Sequence, residues 1–119
     1  GAYKEPESVA FQDKRMVDAQ YVLLAKKMLE AGLYTAIASH APYIITEFKR
    51  WTAEKGIGKD KFEFQLLYGV RRDLQKKVVA DGYQMRVYVP YGEAWYPYFV
   101  RRLAERPANL LFFMNNFVK

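Results

Sequence analysis

A chain of 119 residues, 51% hydrophobic and with a net charge of +6, can bury one small core, and it lacks both the roughly 18–20-residue apolar run of a membrane span and the layout of a signal peptide. With no cysteine, disulfides, thiol catalysis and thiolate metal sites are excluded, so any redox work needs a borrowed cofactor. The positive balance could mark a nucleic-acid partner, but Lys26, Lys27, Lys49, Arg50, Lys55, Lys59, Lys61, Lys76 and Lys77 are spread over separate segments with acids nearby, the pattern of solvated helix faces.

The elements alternate along the chain. "DKRMVDAQYVLLAKKMLEAG" carries Tyr21, Leu24, Ala25, Met28 and Leu29 at i, i+3, i+4, i+7 and i+8, which predicts an amphipathic helix ended by Gly32. "LYTAIASH" (33–40) is short, apolar and strand-favouring, and Pro42 then sits where a first helical turn tolerates it. The following helix, about 42–55, places Ile45, Phe48 and Trp51 at near-helical spacing and stops at Gly56. "KFEFQLLYG" reads as a buried strand, "RRDLQKKVVADG" as a helix with Arg71 and Arg72 on the surface, and "YQMRVYVPYG" as an alternating strand stopped by Pro90 and Gly92. A last helix is predicted over about 93–105. This rhythm implies an α/β fold of parallel strands joined by right-handed crossovers. The start, "GAYKEP", looks like the exit of a strand whose body is missing, and the expectation is a piece of something larger.

In parallel α/β folds chemistry gathers beyond the carboxyl ends of the strands. Those ends are predicted at Tyr3, at Ser39 and His40, at Leu67 and Tyr68, and at Tyr88 and Pro90. His40 is the sole histidine, and at a helix entry it is as readily structural as functional. The strand-end tyrosines suit a core or rim as well as a site. More specific is "YPYFVRRLAERPAN": at 100° per residue Tyr98, Arg101, Arg102 and Glu105 share one helix face. Two guanidiniums beside an aromatic can grip a small carboxylate with an apolar body. The competing interpretation is a surface helix of ion pairs.

Together "GAYKEPESVAF", "EFQLLYG", "RVYVPYG" and "YFVRRLAERPAN", in this order and at these separations, resemble the carboxyl-terminal part of bacterial monofunctional proline dehydrogenase. The resemblance covers essentially the whole chain, with "YFVRRLAE" its most specific part. It implies the carboxyl-terminal portion of a distorted (β/α)8 barrel, residues 1–119 forming one incomplete domain with a final helix that caps the barrel mouth. The implied activity is FAD-dependent oxidation of L-proline to Δ1-pyrroline-5-carboxylate by hydride transfer to flavin N5, with electrons passed to a quinone. On the matching positions, Arg101 and Arg102 would hold the proline carboxylate, with Tyr98 one turn before them and Glu105 one turn after. Tyr3, Leu67 and Tyr88 would wall the proline ring, while Ala2, Ser39, His40, Gln65 and Lys14 would touch FAD. Lys4 and Ala41 stand where the bifunctional branch has Trp and Asn, which fits the monofunctional branch.

The resemblance also implies that the missing amino-terminal half of the barrel is an obligatory partner and that this chain alone is inactive. No metal and no nucleic acid are expected. The expected location is the cytoplasm, with peripheral attachment at the inner membrane surface left open. Two other readings stay open: a half-barrel assembly module without flavin, and a small basic nucleic-acid binder. Flavin absorbance separates the first reading from both, and strongly salt-dependent DNA retention would mark the last.

Overall fold

The structure, a computed structural model, describes residues 5–94, 96–98 and 100. Two compact units are present, Glu5–Val89 and a second made of Gly1–Lys4 with Pro90–Lys119. The first unit runs α1 (Lys14–Glu30), β1 (Thr35–Ala38), α2 (Pro42–Glu54), a short 3-10 turn (Lys59–Lys61), β2 (Phe62–Leu67), α3 (Arg72–Ala80) and β3 (Met85–Tyr88). The three strands form one parallel sheet in the order β1-β2-β3. Each strand therefore lies beside its chain neighbour, reached through one crossover helix.

Local chemistry sets the element ends. Asp13 caps α1 by accepting the Arg15 N–H at 2.8 Å, which satisfies one of the orphan donors of the first turn. At the other end Gly32, at φ +75°, donates to Leu29 O and Leu33 donates to Met28 O, both at 3.0 Å. This Schellman turn needs a left-handed residue, which glycine supplies without Cβ strain. The same two bonds recur after α2, from Gly56 to Ala53 and Ile57 to Thr52, and after α3, from Gly82 to Val79 and Tyr83 to Val78. Each helix then reaches its next element across four residues, 31–34, 55–58 and 81–84.

All three helices pack on one face of the sheet. Strand alternation directs Thr35 and Ile37 of β1 and Phe62, Phe64 and Leu66 of β2 to that face, and all five are buried. They meet Ala25 and Leu29 of α1, Ile44, Ile45, Phe48 and Trp51 of α2, and Leu74 and Val78 of α3. Phe62 and Phe64 meet edge-on at 5.5 Å between ring centroids, and Tyr83 closes on both at 5.8 and 5.7 Å. The cations sit around this core rather than in a stripe: Lys26 pairs with Glu47 at 2.6 Å, and Lys49 with Asp81 at 2.7 Å. Arg50 bridges Glu47 and Glu54, and Arg72 lies over the Tyr68 ring at 5.5 Å.

Three expectations are corrected in detail. The inward face of α1 is Tyr21, Val22, Ala25 and Leu29, and α1 meets the sheet chiefly along β1. Leu24 and Met28, expected on the same stripe, are 50% and 43% exposed on its flank. The extended segment predicted over 33–40 pairs only across Thr35–Ala38, where β2 lies opposite it. In the second unit residues 96–98 and 100 are helical, and Tyr98 N–H reaches Ala94 O at 3.4 Å. The helix predicted from 93 is thus preceded by a turn at 93–94, and its continuation to 105 lies outside the described residues.

Candidate functional site

Among the described residues of the first unit, alternation leaves the other face of the sheet without helices. It carries Ala36 and Ala38 of β1, Glu63, Gln65 and Leu67 of β2, and Arg86 and Tyr88 of β3. The register aligns Ala38, Gln65 and Arg86 in one row and Leu67 with Tyr88 in the next row toward the carboxyl ends. Small alanines beside long polar and aromatic side chains leave room above β1.

The strand exits are stitched together through polar groups. Where β1 leaves the sheet, the Nε2 of His40 accepts the Leu67 N–H at 3.0 Å and replaces the ladder bond that β1 no longer supplies. Gln75 of α3 donates to Leu67 O at 3.2 Å and to Val70 O at 3.0 Å. Tyr68 N–H then reaches Tyr88 O at 2.8 Å, so the backbone under Leu67 and Tyr88 is fixed from both sides. Ser39 Oγ accepts the Ala41 N–H at 3.2 Å and sets the turn into α2.

Two rows deeper than Leu67 and Tyr88 stands Glu63, only 6% exposed and covered by its donors. Its carboxylate accepts Arg86 Nε at 2.6 Å and Arg86 Nη2 at 2.9 Å. Gln65 Nε2 donates to it at 2.6 Å, and the Tyr34 hydroxyl at 3.0 Å, with the Gln84 amide 2.9 Å beyond that hydroxyl. The Arg86 pair is the largest cause, burial opposing it, that holds the Glu63 carboxyl down at about 2 from an ordinary 4.5. The Tyr34 hydroxyl is pushed up, first by desolvation and then by its bond to that carboxylate.

Of the sequence-predicted residues, Ser39, His40, Gln65, Leu67 and Tyr88 come together at the carboxyl ends of β1, β2 and β3. Lys14 opens α1 and pairs with Asp18, which also accepts the Tyr43 hydroxyl from the first turn of α2. Tyr98 belongs to the second unit. Ala2, Tyr3, Arg101, Arg102 and Glu105 lie outside the described residues. Sequence reasoning missed Glu63, Arg86 and Tyr34. The signal was present as an acid and a base of like parity in "FEFQ" and "MRVY", but pairing them requires the register. A groove of about 560 Å³ also runs between α1 and α2, lined by Arg15, Asp18, Ala19, Val22, Leu23, Lys26 and Tyr43. Among its lining residues are none of the strand-end groups, so the chemistry points to the open face instead. Among the described residues no cluster of His, Cys, Asp and Glu could hold a metal ion, and no helix is long and apolar enough to cross a membrane.

Comparison with known proteins identifies the family. The chain is 53% identical over all 119 residues to a proline dehydrogenase of Deinococcus radiodurans and to proline dehydrogenase 2 of Bacillus subtilis, and 50% identical to proline dehydrogenase 1 of the latter. It spans 38 to 39% of the length of these relatives. The family model described as proline dehydrogenase matches residues 2–115, and with nearly every residue inside that match, the chain belongs to the proline dehydrogenase family.

Proposed function

We propose that the chain is the carboxyl-terminal part of a flavin-dependent proline dehydrogenase, one incomplete domain that supplies the substrate clamp and part of the FAD site. The observation that carries this reading is the open sheet face, on which Gln65, Leu67, Arg86 and Tyr88 stand in register above a His40 pinned to Leu67. The sequential parallel order β1-β2-β3 with helices on one side suits a section of a (β/α)8 barrel, whose interior would then be this open face. The final helix is read as a cap over the barrel mouth.

The donor set fits FAD. Ala36 and Ala38 leave space for a planar ring, Gln65 offers an amide, and Ser39 and His40 stand at the strand exit, beyond which parallel sheets take cofactors in a crevice. Ala2 and Lys14 are the remaining proposed FAD contacts. Bound FAD supplies the hydride acceptor, and a quinone is the proposed final electron acceptor. The residues of this chain bind and orient the substrate. Arg101 and Arg102 would each offer a planar fork to the proline carboxylate, with Tyr98 and Glu105 on the same helix face. Tyr3, Leu67 and Tyr88 would wall the ring and exclude water from the carbon that is oxidised, so that the amino acid is held by its charged end and presented by its apolar one.

The test uses the full-length protein that contains this chain. It should purify with flavin absorbance that bleaches on addition of L-proline, and the bleaching should weaken in Arg101→Met and Arg102→Met variants that keep their flavin. A flavin-free protein that ignores proline would overturn the reading.

A further inference from the structure

Glu63 is a puzzle on that face. Gln65 and Tyr88 are given roles by the proposed function, but Glu63 stands one row deeper than Gln65, nearly buried and with no assigned role. An isolated buried carboxylate costs several kcal/mol, which is why such groups gather donors. Charge balance alone would be met by Arg86, which grips it through Nε and Nη2. The further bonds from Gln65 at 2.6 Å and Tyr34 at 3.0 Å exceed that need. With the Arg86 bonds they join three side chains to one acceptor, from the residue before β1 across β2 to β3.

The consequence falls on Gln65. Its amide is two residues from Glu63 on the same face of β2, and one of its N–H groups is committed to the carboxylate. That fixes which end of the amide is oxygen and which nitrogen, a choice an unanchored glutamine would leave open. Arg86, in register with Gln65, is 67% exposed at its side chain yet locked at two nitrogens, so it stands in the Gln65 row as a fixed cation. Resting on the proposed proline dehydrogenase reading, we infer that Glu63 is a positioning residue: it orients the Gln65 amide and the Arg86 guanidinium so that the face beneath the flavin is pre-organised. Such support costs the ligand less ordering on binding.

The experiment uses the full-length protein and three variants: Glu63→Gln, the double variant Glu63→Gln with Arg86→Gln, and Glu63→Asp. Apo protein is prepared from each, its thermal transition is recorded, and FAD is titrated back while the visible flavin band is followed. Glu63→Gln should bind FAD about tenfold or more weakly, the effect of one lost charge-assisted bond, and should shift the flavin band. The double variant removes both charges together, so its apo transition should return toward that of the parent while FAD binding stays weak. Recovery of parental FAD affinity in the double variant would reduce Glu63 to a counter-ion and overturn the inference. Unchanged affinity and band position in Glu63→Gln would do the same. Should Glu63→Gln fail to fold, Glu63→Asp decides, because it keeps the charge but withdraws it by one methylene. Weaker FAD binding at a parental transition temperature supports positioning, and parental binding overturns it. A parent that binds no FAD fails at the functional reading itself and takes this inference with it, whereas a parent that binds FAD with insensitive variants fails here alone.

Discussion

His40 shows how one side chain can serve frame and site together. Its Nε2 takes the Leu67 N–H that β1 has ceased to pair, and an unsatisfied buried donor costs about 1–3 kcal/mol. His40→Ala should therefore lower the thermal transition of the full-length protein even with saturating FAD, besides loosening flavin retention. An unchanged transition in differential scanning calorimetry would show that water replaces the ring without loss. From sequence alone His40 could be read as structural or as flavin-contacting, and the structure supplies the structural half through a bond that no spacing rule foretells. Arg101 and Arg102 rest on different ground, their shared helix face and the family match. A hydrogen bond to a charged group contributes about 1.5–3 kcal/mol, so each Arg→Met change should cost roughly 10- to 150-fold in kcat/KM for proline. Arg→Lys should rescue only partly, since an ammonium lacks the bidentate fork. Unchanged affinity for a carboxylate-bearing competitive inhibitor in both Met variants would sink the clamp.

At the scale of elements, β2 carries both the core and the candidate site on opposite faces. Phe64 is fully buried on the helix side, and Phe64→Ala should cost about 3–5 kcal/mol in urea unfolding, since helices on that side prevent full collapse of the cavity. Glu63, on the other face, makes stability depend on pH. Its folded-state carboxyl is depressed to about 2 from 4.5, so its contribution is fully present above pH 4.5 and is lost as pH falls toward 2. Because Arg86 is two-thirds exposed, solvent screening keeps that contribution near 1–3 kcal/mol. Glu63→Gln should thus narrow the stability difference between about pH 6 and about pH 3.5, and parallel profiles would contradict the ion pair.

Helices and strands were legible because glycine stops, Pro42 and apolar period act within one segment. The α1 ridge was misjudged at Leu24 and Met28 because burial depends on which strand a helix meets. Glu63 and Arg86 were invisible as a pair because their separation in sequence, 63 to 86, closes only through the β2–β3 register.

At the scale of the whole molecule, the sheet of the first unit has two outer edges among the described residues, one along β1 and one along β3. Unpaired strand edges recruit other chains. Expressed alone, the chain should self-associate or fold poorly, and co-expression with the remaining part of a family member should restore solubility and flavin binding. A monodisperse, cooperatively unfolding monomer in sedimentation would contradict this. The three helix exits have a further consequence. Each helix hands over to its next element through the same glycine turn and the same four-residue span, so a residue added inside α3 rotates that exit by about 100° and shifts β3 against β2. The opposite junctions, 39–41 after β1 and 68–71 after β2, share no such pattern. An added residue therefore acts with a polarity: at the helix exits it slips a strand's register, whereas at 39–41 and 68–71 the strands keep their places and the loss falls on the bonds that His40 and Gln75 make to the backbone around Leu67.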